Sequence, residues 1–317
     1  MRFSIFSVVD HYPNRPRGIA QFYGEVLAHA RLAEQLGLDS FWVAEHHFHE
    51  YGVAPNPTVL LSAIATRTTR IRLGPAISVL PFRNPLQVAE DYAMLDQLSG
   101  GRLVMGVGSG YLAHEFTAFK VAPEEKRERF DDSLEILKRA WSGARVSFNG
   151  RFHSIDEVAL NVLPLQQPLP PIYLGILRAE ACYHVGRQGN RVFLVPYASV
   201  ERMEEIGGLI SAHSEGLAEA GADFADDAAL VTLHTHVAES DAEAEANAAE
   251  CFDLYVETRL YAKRQVYADI LRSRLGIFGS VERAVGQLLE LAGLGVQHVV
   301  PQNPSTPTQV SLYTQAR

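Results

Sequence analysis

The 317-residue sequence predicts an α/β protein, a single (β/α)8 barrel of the TIM type. Three observations predict it. Its strands are apolar on consecutive residues, as strands covered on both faces must be. They alternate along the whole chain with segments whose apolar residues recur at helical spacing. The count of strands reaches eight, which favours a closed barrel over an open doubly wound sheet.

The first strand is read at 3–9, where Phe3-Ser4-Ile5-Phe6-Ser7-Val8-Val9 is rich in β-formers. A loop of Pro, Gly and Asn leads to a helix at 19–36, with Phe22, Val26, Leu27, Ala30, Ala33 and Leu36 on one face and Gly37 ending it. Three further pairs follow: a strand at 40–44 with a helix at 58–66, a strand at 71–80 with a helix at 86–98, and a strand at 103–107 with a helix at 124–141. The second half supplies strands at 172–175, 191–195, 229–237 and 297–301, with helices at 179–188, 199–220 and 281–293. Two stretches exceed an ordinary βα connection and read as insertions, about 145–171 after the fourth strand and about 240–275 after the seventh. The second is rich in Ala, Glu, Tyr and Arg, so a helical excursion over the barrel mouth is expected around Phe252, Tyr255, Tyr261 and Tyr267. No linker or repeat divides the chain, and one domain over 1–317 is expected.

Composition narrows the function. The 28 Lys and Arg against 37 Asp and Glu give a net charge of -9, with no basic block to neutralise a phosphate backbone, so nucleic acid is not an expected partner. Cys182 and Cys251 lie far apart and supply neither a disulfide framework nor a multi-thiolate metal site. Met1-Arg2 run straight into the first strand, and no stretch approaches the roughly 20 apolar residues that cross a bilayer. A cytoplasmic protein is expected.

Chemistry in such a barrel sits where strands end at their C-termini. The second strand ends Glu45-His46-His47-Phe48-His49, a carboxylate and three imidazoles that need partners or a task if buried. The third ends Gly74-Pro75-Ala76-Ile77-Ser78, small enough at Ala76 to let a flat ligand reach the backbone. The fourth ends Gly106-Val107-Gly108-Ser109-Gly110-Tyr111, whose backbone N–H groups and Ser109 hydroxyl suit a phosphate, although turn glycines explain the pattern equally well. After the fifth come Gly175, Ile176, Leu177 and Arg178, with Arg178 either a phosphate ligand or a surface residue. A rival constellation pairs His47 and His49 with His234 and His236 as a metal hydrolase. It lacks well-placed Asp or Lys at other strand ends, and no metal is expected.

Taken together, Trp42 to Phe48, Val79-Leu80-Pro81, Asn84-Pro85, Ala89-Glu90-Asp91, Leu95 to Arg102, Gly106 to Tyr111 and Glu115-Phe116 resemble the bacterial luciferase-like family of flavin-dependent monooxygenases. The resemblance runs over nearly the whole chain and is firmest in the first half. It implies a luciferase-like (β/α)8 barrel that takes up reduced FMN from a separate NAD(P)H:flavin reductase and forms a flavin C(4a)-peroxide with dioxygen to oxygenate a small organic substrate. It places His46 as acid/base beside the flavin, flanked by Glu45 and His47, and a non-prolyl cis peptide between Ala76 and Ile77 against the flavin ring. Beside the Ala76–Ile77 pair, flavin contacts are expected from Ser78, Ser109, Tyr111, Gly175 and Arg178, and a homodimer is expected, since members of the family are commonly dimeric and the helices 57–65 and 86–95 are apolar.

The chain departs from the family at two places. Gly108 and Ser109 stand where the luciferase subunit has a reactive cysteine and a phosphate-contacting arginine, and the hydroxyl-rich phosphate turn is replaced by Ile176-Leu177-Arg178-Ala179. Either Arg178 substitutes charge for hydroxyls, or the chain binds flavin weakly or takes another flavin. Two alternatives therefore stand beside the monooxygenase: a deazaflavin-dependent hydride-transfer oxidoreductase, and a flavin-binding barrel without turnover.

Overall fold

A computed structural model describes residues 1–12, 17–258 and 265–302. The eight expected barrel strands are all present and parallel. They are Ile5–Ser7 with its short forerunner Arg2–Phe3, Ser40–Val43, Arg72–Pro75 continued by Ser78–Val79, Met105–Gly108, Ile172–Ile176, Arg191–Leu194, Ala229–Ala238 and His298–Gln302. Around the sheet they run third, second, first, eighth, seventh, sixth, fifth, fourth, and back to third. The third strand closes the circle because its two halves serve different neighbours. Arg72–Pro75 pairs with the second strand, and Ser78–Val79 pairs with the fourth.

The break between those halves corrects the reading of one strand over 71–80. It falls at Ala76–Ile77, whose peptide bond is cis, as the resemblance implies. The 240–275 stretch is helical, as expected, but the element after it is new. The stretch holds the helices Asp241–Thr258 and Tyr267–Ser273, and is followed by a ninth parallel strand, Gly276–Ser280, that the sequence reading missed. The physical reason is length. The seventh strand has ten residues and the eighth five, so its Val231–His234 half pairs with the eighth and leaves His234–Ala238 as an edge that Gly276–Ser280 covers. Tyr261 lies outside the described residues.

Smaller corrections follow the same logic of local chemistry. The 145–171 insertion contains an antiparallel hairpin, Val146–Asn149 with Ser154–Val158. A short helix, Ala113–Phe119, precedes the expected fourth-unit helix, which starts at Lys126. The sixth-unit helix begins at Ile206 instead of 199, because the backbone is extended at Val200 and Arg202, between the short helix Pro196–Ser199 and the turn at Met203–Glu205. The 86–98 helix spans Pro85–Ser99. Asn84 caps it by accepting from the Leu86 and Gln87 N–H groups, and Gly100 ends it at φ +72°.

The barrel interior is layered. Phe6, Trp42, Tyr173 and Phe193 meet at its waist, with Trp42 5.3 Å from Phe193 and 5.7 Å from Tyr173. Gly74 makes room for the indole, since a Cβ there would lie 2.6 Å from it. Below, at the N-terminal ends of the strands, charge replaces hydrocarbon. Arg2, Arg72 and Arg191 pair with Asp39 and Asp227, and His298 Nε2 lies 2.7 Å from the Ser4 hydroxyl. With the floor plugged and the waist filled, the open end is the C-terminal mouth, where the candidate residues lie.

Among the described residues, no helix is long and apolar enough to cross a membrane.

Candidate active site

The second strand stops at Val43, and the next residues turn inward with little exposure. Glu45 is 2% exposed, and His46 and His47 are 8% each. Two carboxylates hold them. Glu45 Oε1 lies 3.2 Å from His47 Nε2, while its Oε2 accepts the Val79 N–H at 3.3 Å, tying this loop to the third strand. The His47 ring then sits among Phe48, Phe82 and Phe119. Glu45 and His47 thus brace each other and the loop, and His46 is the member of the trio that meets the mouth residues.

His46 is held on three sides. Glu115 Oε1 lies 3.3 Å from its Nδ1 and accepts the His47 backbone N–H at 2.9 Å. The Tyr51 ring packs on its face at 4.5 Å between centroids. Gly52 backs its Cβ so closely that a side chain at Gly52 would sit 2.8 Å from it. The Tyr51 hydroxyl is in turn 3.0 Å from that of Tyr255 and receives the Tyr111 hydroxyl at 3.3 Å, and Gln302 Nε2 donates to Tyr255 at 2.8 Å. Loops after the second and fourth strands, the end of the eighth strand and helix Asp241–Thr258 therefore converge on one hydroxyl cluster beside His46. A packed aromatic group underlies that helix: His234 lies 4.5 Å from Tyr197, 4.9 Å from Phe252 and 5.2 Å from Tyr255. Phe252, Tyr255 and Tyr267 are all buried, so they form the inside of a roof.

The floor of the mouth is Ile77. Its side chain lies over Gly108 and Gly175, two residues on from the inward-facing Gly106 and Tyr173. A Cβ at Gly108 would fall 2.6 Å from Ile77 Cδ1, and one at Gly175 would fall 2.7 Å from Cγ2. These glycines are needed for close approach to Ile77, a role distinct from offering N–H groups to a phosphate. Ile77 remains partly exposed, and Ala76 beside it is small, so the pair presents a flat apolar platform. Ser78, the next residue, is fully buried and pairs with the fourth strand opposite Val107. Ser109 and Tyr111 are half-buried at the rim, and Arg178 is exposed beyond the fifth strand.

The histidine pairs of the metal reading take separate partners. His49 lies 5.5 Å from the His114 ring and accepts the Tyr51 N–H through Nδ1, while His234 belongs to the aromatic roof. Burial holds His236 below the usual imidazole value, so it carries no charge near neutrality. Among the described residues, no three His, Cys, Asp or Glu side chains are grouped to hold a metal ion.

Sequence reasoning missed Tyr51, Glu115 and Gln302. In sequence, Glu115 figures only within the motifs that carry the resemblance, and nothing local announces a histidine 69 positions away. Tyr51 and Gln302 carry no signal beyond nearness to a strand end.

Comparison with known proteins bears on the family and the fold. A family model for luciferase-like monooxygenases matches residues 1–298. The oxygenase component of a flavin-dependent trigonelline monooxygenase of Acinetobacter baylyi is 28% identical over 253 residues, 79% of this chain and 69% of that one. An F420-dependent glucose-6-phosphate dehydrogenase of Kineococcus radiotolerans is 32% identical over 205 residues, 62% of this chain and 59% of that protein. The crystal structure of monooxygenase RslO1 from Streptomyces bottropensis superposes with a TM-score of 0.88 at 28% identity, over 96% of this chain and 93% of that one. The matches to the first two curated relatives, both from Sinorhizobium fredii, span 58% and 54% of their length.

Proposed function

The chain belongs to the luciferase-like monooxygenase family, and from that premise we propose that it is the oxygenase of a two-component system that uses reduced FMN and dioxygen to oxygenate a small organic substrate. The observation that carries this reading is the pairing of a flat apolar platform at Ala76–Ile77, kept open by Gly108 and Gly175, with a restrained imidazole at His46. An isoalloxazine ring suits such a platform: it is flat and largely apolar, and a Cβ at either glycine would lift its floor. Ala76 and Ile77 would hold the ring, with Ser78 buried behind them, and Ser109, Tyr111, Gly175 and Arg178 would border its ribityl phosphate.

Reduced FMN, when bound, supplies the electrons that activate dioxygen. The chain supplies the rest. His46 takes or returns a proton at Nε2 as the oxygen transfer proceeds, a role typically contributing about 10²- to 10⁴-fold. The roof of Phe252, Tyr255 and Tyr267 keeps water from the reacting centre. Ile77 and the loop braced by Glu45 and His47 keep floor and base in register.

A second reading, a deazaflavin-dependent oxidoreductase, draws on the F420-dependent relative and on the turn Ile176-Leu177-Arg178-Ala179, which lacks hydroxyls for a phosphate. Anaerobic titration with reduced FMN and, separately, reduced F420 discriminates them. Saturable binding of reduced FMN with weaker F420 binding is expected. The reverse order would replace the monooxygenase with the hydride-transfer enzyme, and binding of oxidised cofactor without turnover would leave a non-catalytic barrel.

The partners follow from the same reading. A separate NAD(P)H:flavin reductase supplies the reduced cofactor in the cytoplasm. A second copy of the chain covers Val59, Met94 and Leu98, which are 68%, 52% and 60% exposed on helices Pro57–Ala65 and Pro85–Ser99. Light scattering at the mass of two chains is the expected result.

A further inference from the structure

We propose that Glu115 is a positioning residue that fixes the tautomer of His46, so that Nδ1 carries the proton and the Nε2 lone pair faces the mouth. The catalytic meaning of this rests on the flavin reading, but the geometry and its test do not.

Glu115 is 1% exposed, in the first turn of helix Ala113–Phe119. One of its oxygens, Oε1, serves two neighbours: it accepts the His47 N–H at 2.9 Å and meets His46 Nδ1 at 3.3 Å. A carboxylate only accepts, so the contact is favourable when Nδ1 is the donor and repulsive when Nδ1 presents its own lone pair. Between groups this deeply buried, the difference is felt strongly. The backbone bond to His47 fixes Oε1 in place, so it cannot swing away to accommodate the other tautomer. The ring cannot turn either. Tyr51 packs on one face, and Gly52 leaves no space behind Cβ. Nε2 makes no hydrogen bond to any described residue. With the proton parked at Nδ1, it is the atom left to accept or deliver a proton at the cofactor. The logic is that of a carboxylate that orients a catalytic imidazole from behind.

The fold supplies Glu115 by an indirect route. The glycines of Gly108-Ser109-Gly110, the last at φ +76°, turn the chain out of the fourth strand and straight into helix Ala113–Phe119. That delivers Glu115 behind the loop that follows the second strand. His114, its neighbour, lies 3.0 Å from the His47 carbonyl and pins the same loop from outside.

Long-range ¹⁵N–¹H NMR of the full chain without flavin, labelled at histidine, reads the tautomer directly. His46 is assigned by loss of its signals in His46→Asn. In the wild-type protein at neutral to mildly alkaline pH, a protonated Nδ1 and a bare Nε2 are expected. In Glu115→Leu the pattern shifts toward the Nε2–H form that free imidazole side chains favour. In Glu115→Gln the side-chain carbonyl still accepts from both neighbours, and the wild-type pattern is retained. A wild-type His46 protonated at Nε2 would overturn the proposal without any variant, and so would an unchanged pattern in a folded Glu115→Leu. Should Glu115→Leu not fold, the wild-type and Glu115→Gln spectra still decide. Failure of reduced FMN to bind would remove the flavin reading while leaving this result standing.

Discussion

At the scale of single residues, the site is built by small side chains as much as by reactive ones. Gly108 and Gly175 each lie where a Cβ would come within 2.7 Å of Ile77. Gly175→Ala therefore pushes Ile77 into the space proposed for the isoalloxazine. Isothermal titration of this variant is expected to show FMN affinity falling about tenfold, which corresponds to about 1.4 kcal/mol. Unchanged affinity would mean that Ile77 is not the floor of the cofactor site. Tyr255→Phe tests the hydroxyl cluster. It leaves the buried Gln302 Nε2 without its acceptor, so a stability loss of about 1–3 kcal/mol is expected in chemical denaturation. Much of this scale was legible in sequence. Glu45, His46 and His47 stand together at a strand end, and Ala76 and Ile77 sit in a run of small residues. Glu115 and Gln302 were not legible, because their roles depend on which distant loop folds beside them, and residue type alone does not encode that.

At the scale of elements, the third and seventh strands matter most. The third breaks at Ala76–Ile77 and so places platform and closure in one segment. The seventh outruns its neighbour and recruits Gly276–Ser280. That ninth strand was hidden because Gly276-Ile277-Phe278-Gly279-Ser280 is short and framed by glycines, which read as turn chemistry, and the Ala- and Glu-rich helix before it dominates the pattern. Its packing value shows in Phe278, 5.7 Å from Phe252 and 5.0 Å from Tyr267. Ile277 sits opposite Thr235 in the ladder. Ile277→Pro removes a backbone donor there and breaks the strand that supports the roof. Hydrogen exchange is expected to show lost protection across 241–258 while the strands of the first half stay protected. Equal loss everywhere would mean that the ninth strand is part of the global core and not a local support. The first three βα units were the more legible because each is built on one α-helix, Ile19–Gln35, Pro57–Ala65 and Pro85–Ser99 in turn.

At the scale of the whole molecule, Arg2, Arg72, Arg191, Asp39 and Asp227 fill the floor of the barrel with paired charge, and burial favours the neutral form of His213, His236 and His298. Burial pushes His298 down to about 4 from an ordinary value near 6.5, and it holds His213 and His236 low as well. The unfolded chain takes up protons on these rings below about pH 6.5, while the folded chain refuses them until near pH 4 at His298. Between those limits the unfolded state binds more protons, so stability falls as pH falls. Asp227, held below the carboxylate range chiefly by Arg72 against the opposing cost of burial, works in the same direction at lower pH. Calorimetry is expected to give a melting temperature that drops steadily from pH 7 to pH 4.5, and a flat profile would contradict the neutral, buried assignment of these histidines. That layering was not legible in the sequence, because nothing local says that Arg2, Arg72 and Arg191 meet Asp39 and Asp227 across the barrel.

The central claim is that an Ala76–Ile77 platform and a restrained His46 together manage the reaction of reduced FMN with dioxygen. The most direct test is stopped-flow mixing of dioxygen with the anaerobic complex of protein and reduced FMN, followed by flavin absorbance, for the wild-type chain and for His46→Ala. The account predicts that the wild-type complex reaches oxidised flavin much more slowly than free reduced FMN, and that His46→Ala still binds the flavin but loses the delay. Reoxidation at the rate of free flavin in the wild-type protein, or a delay indifferent to His46, would contradict it.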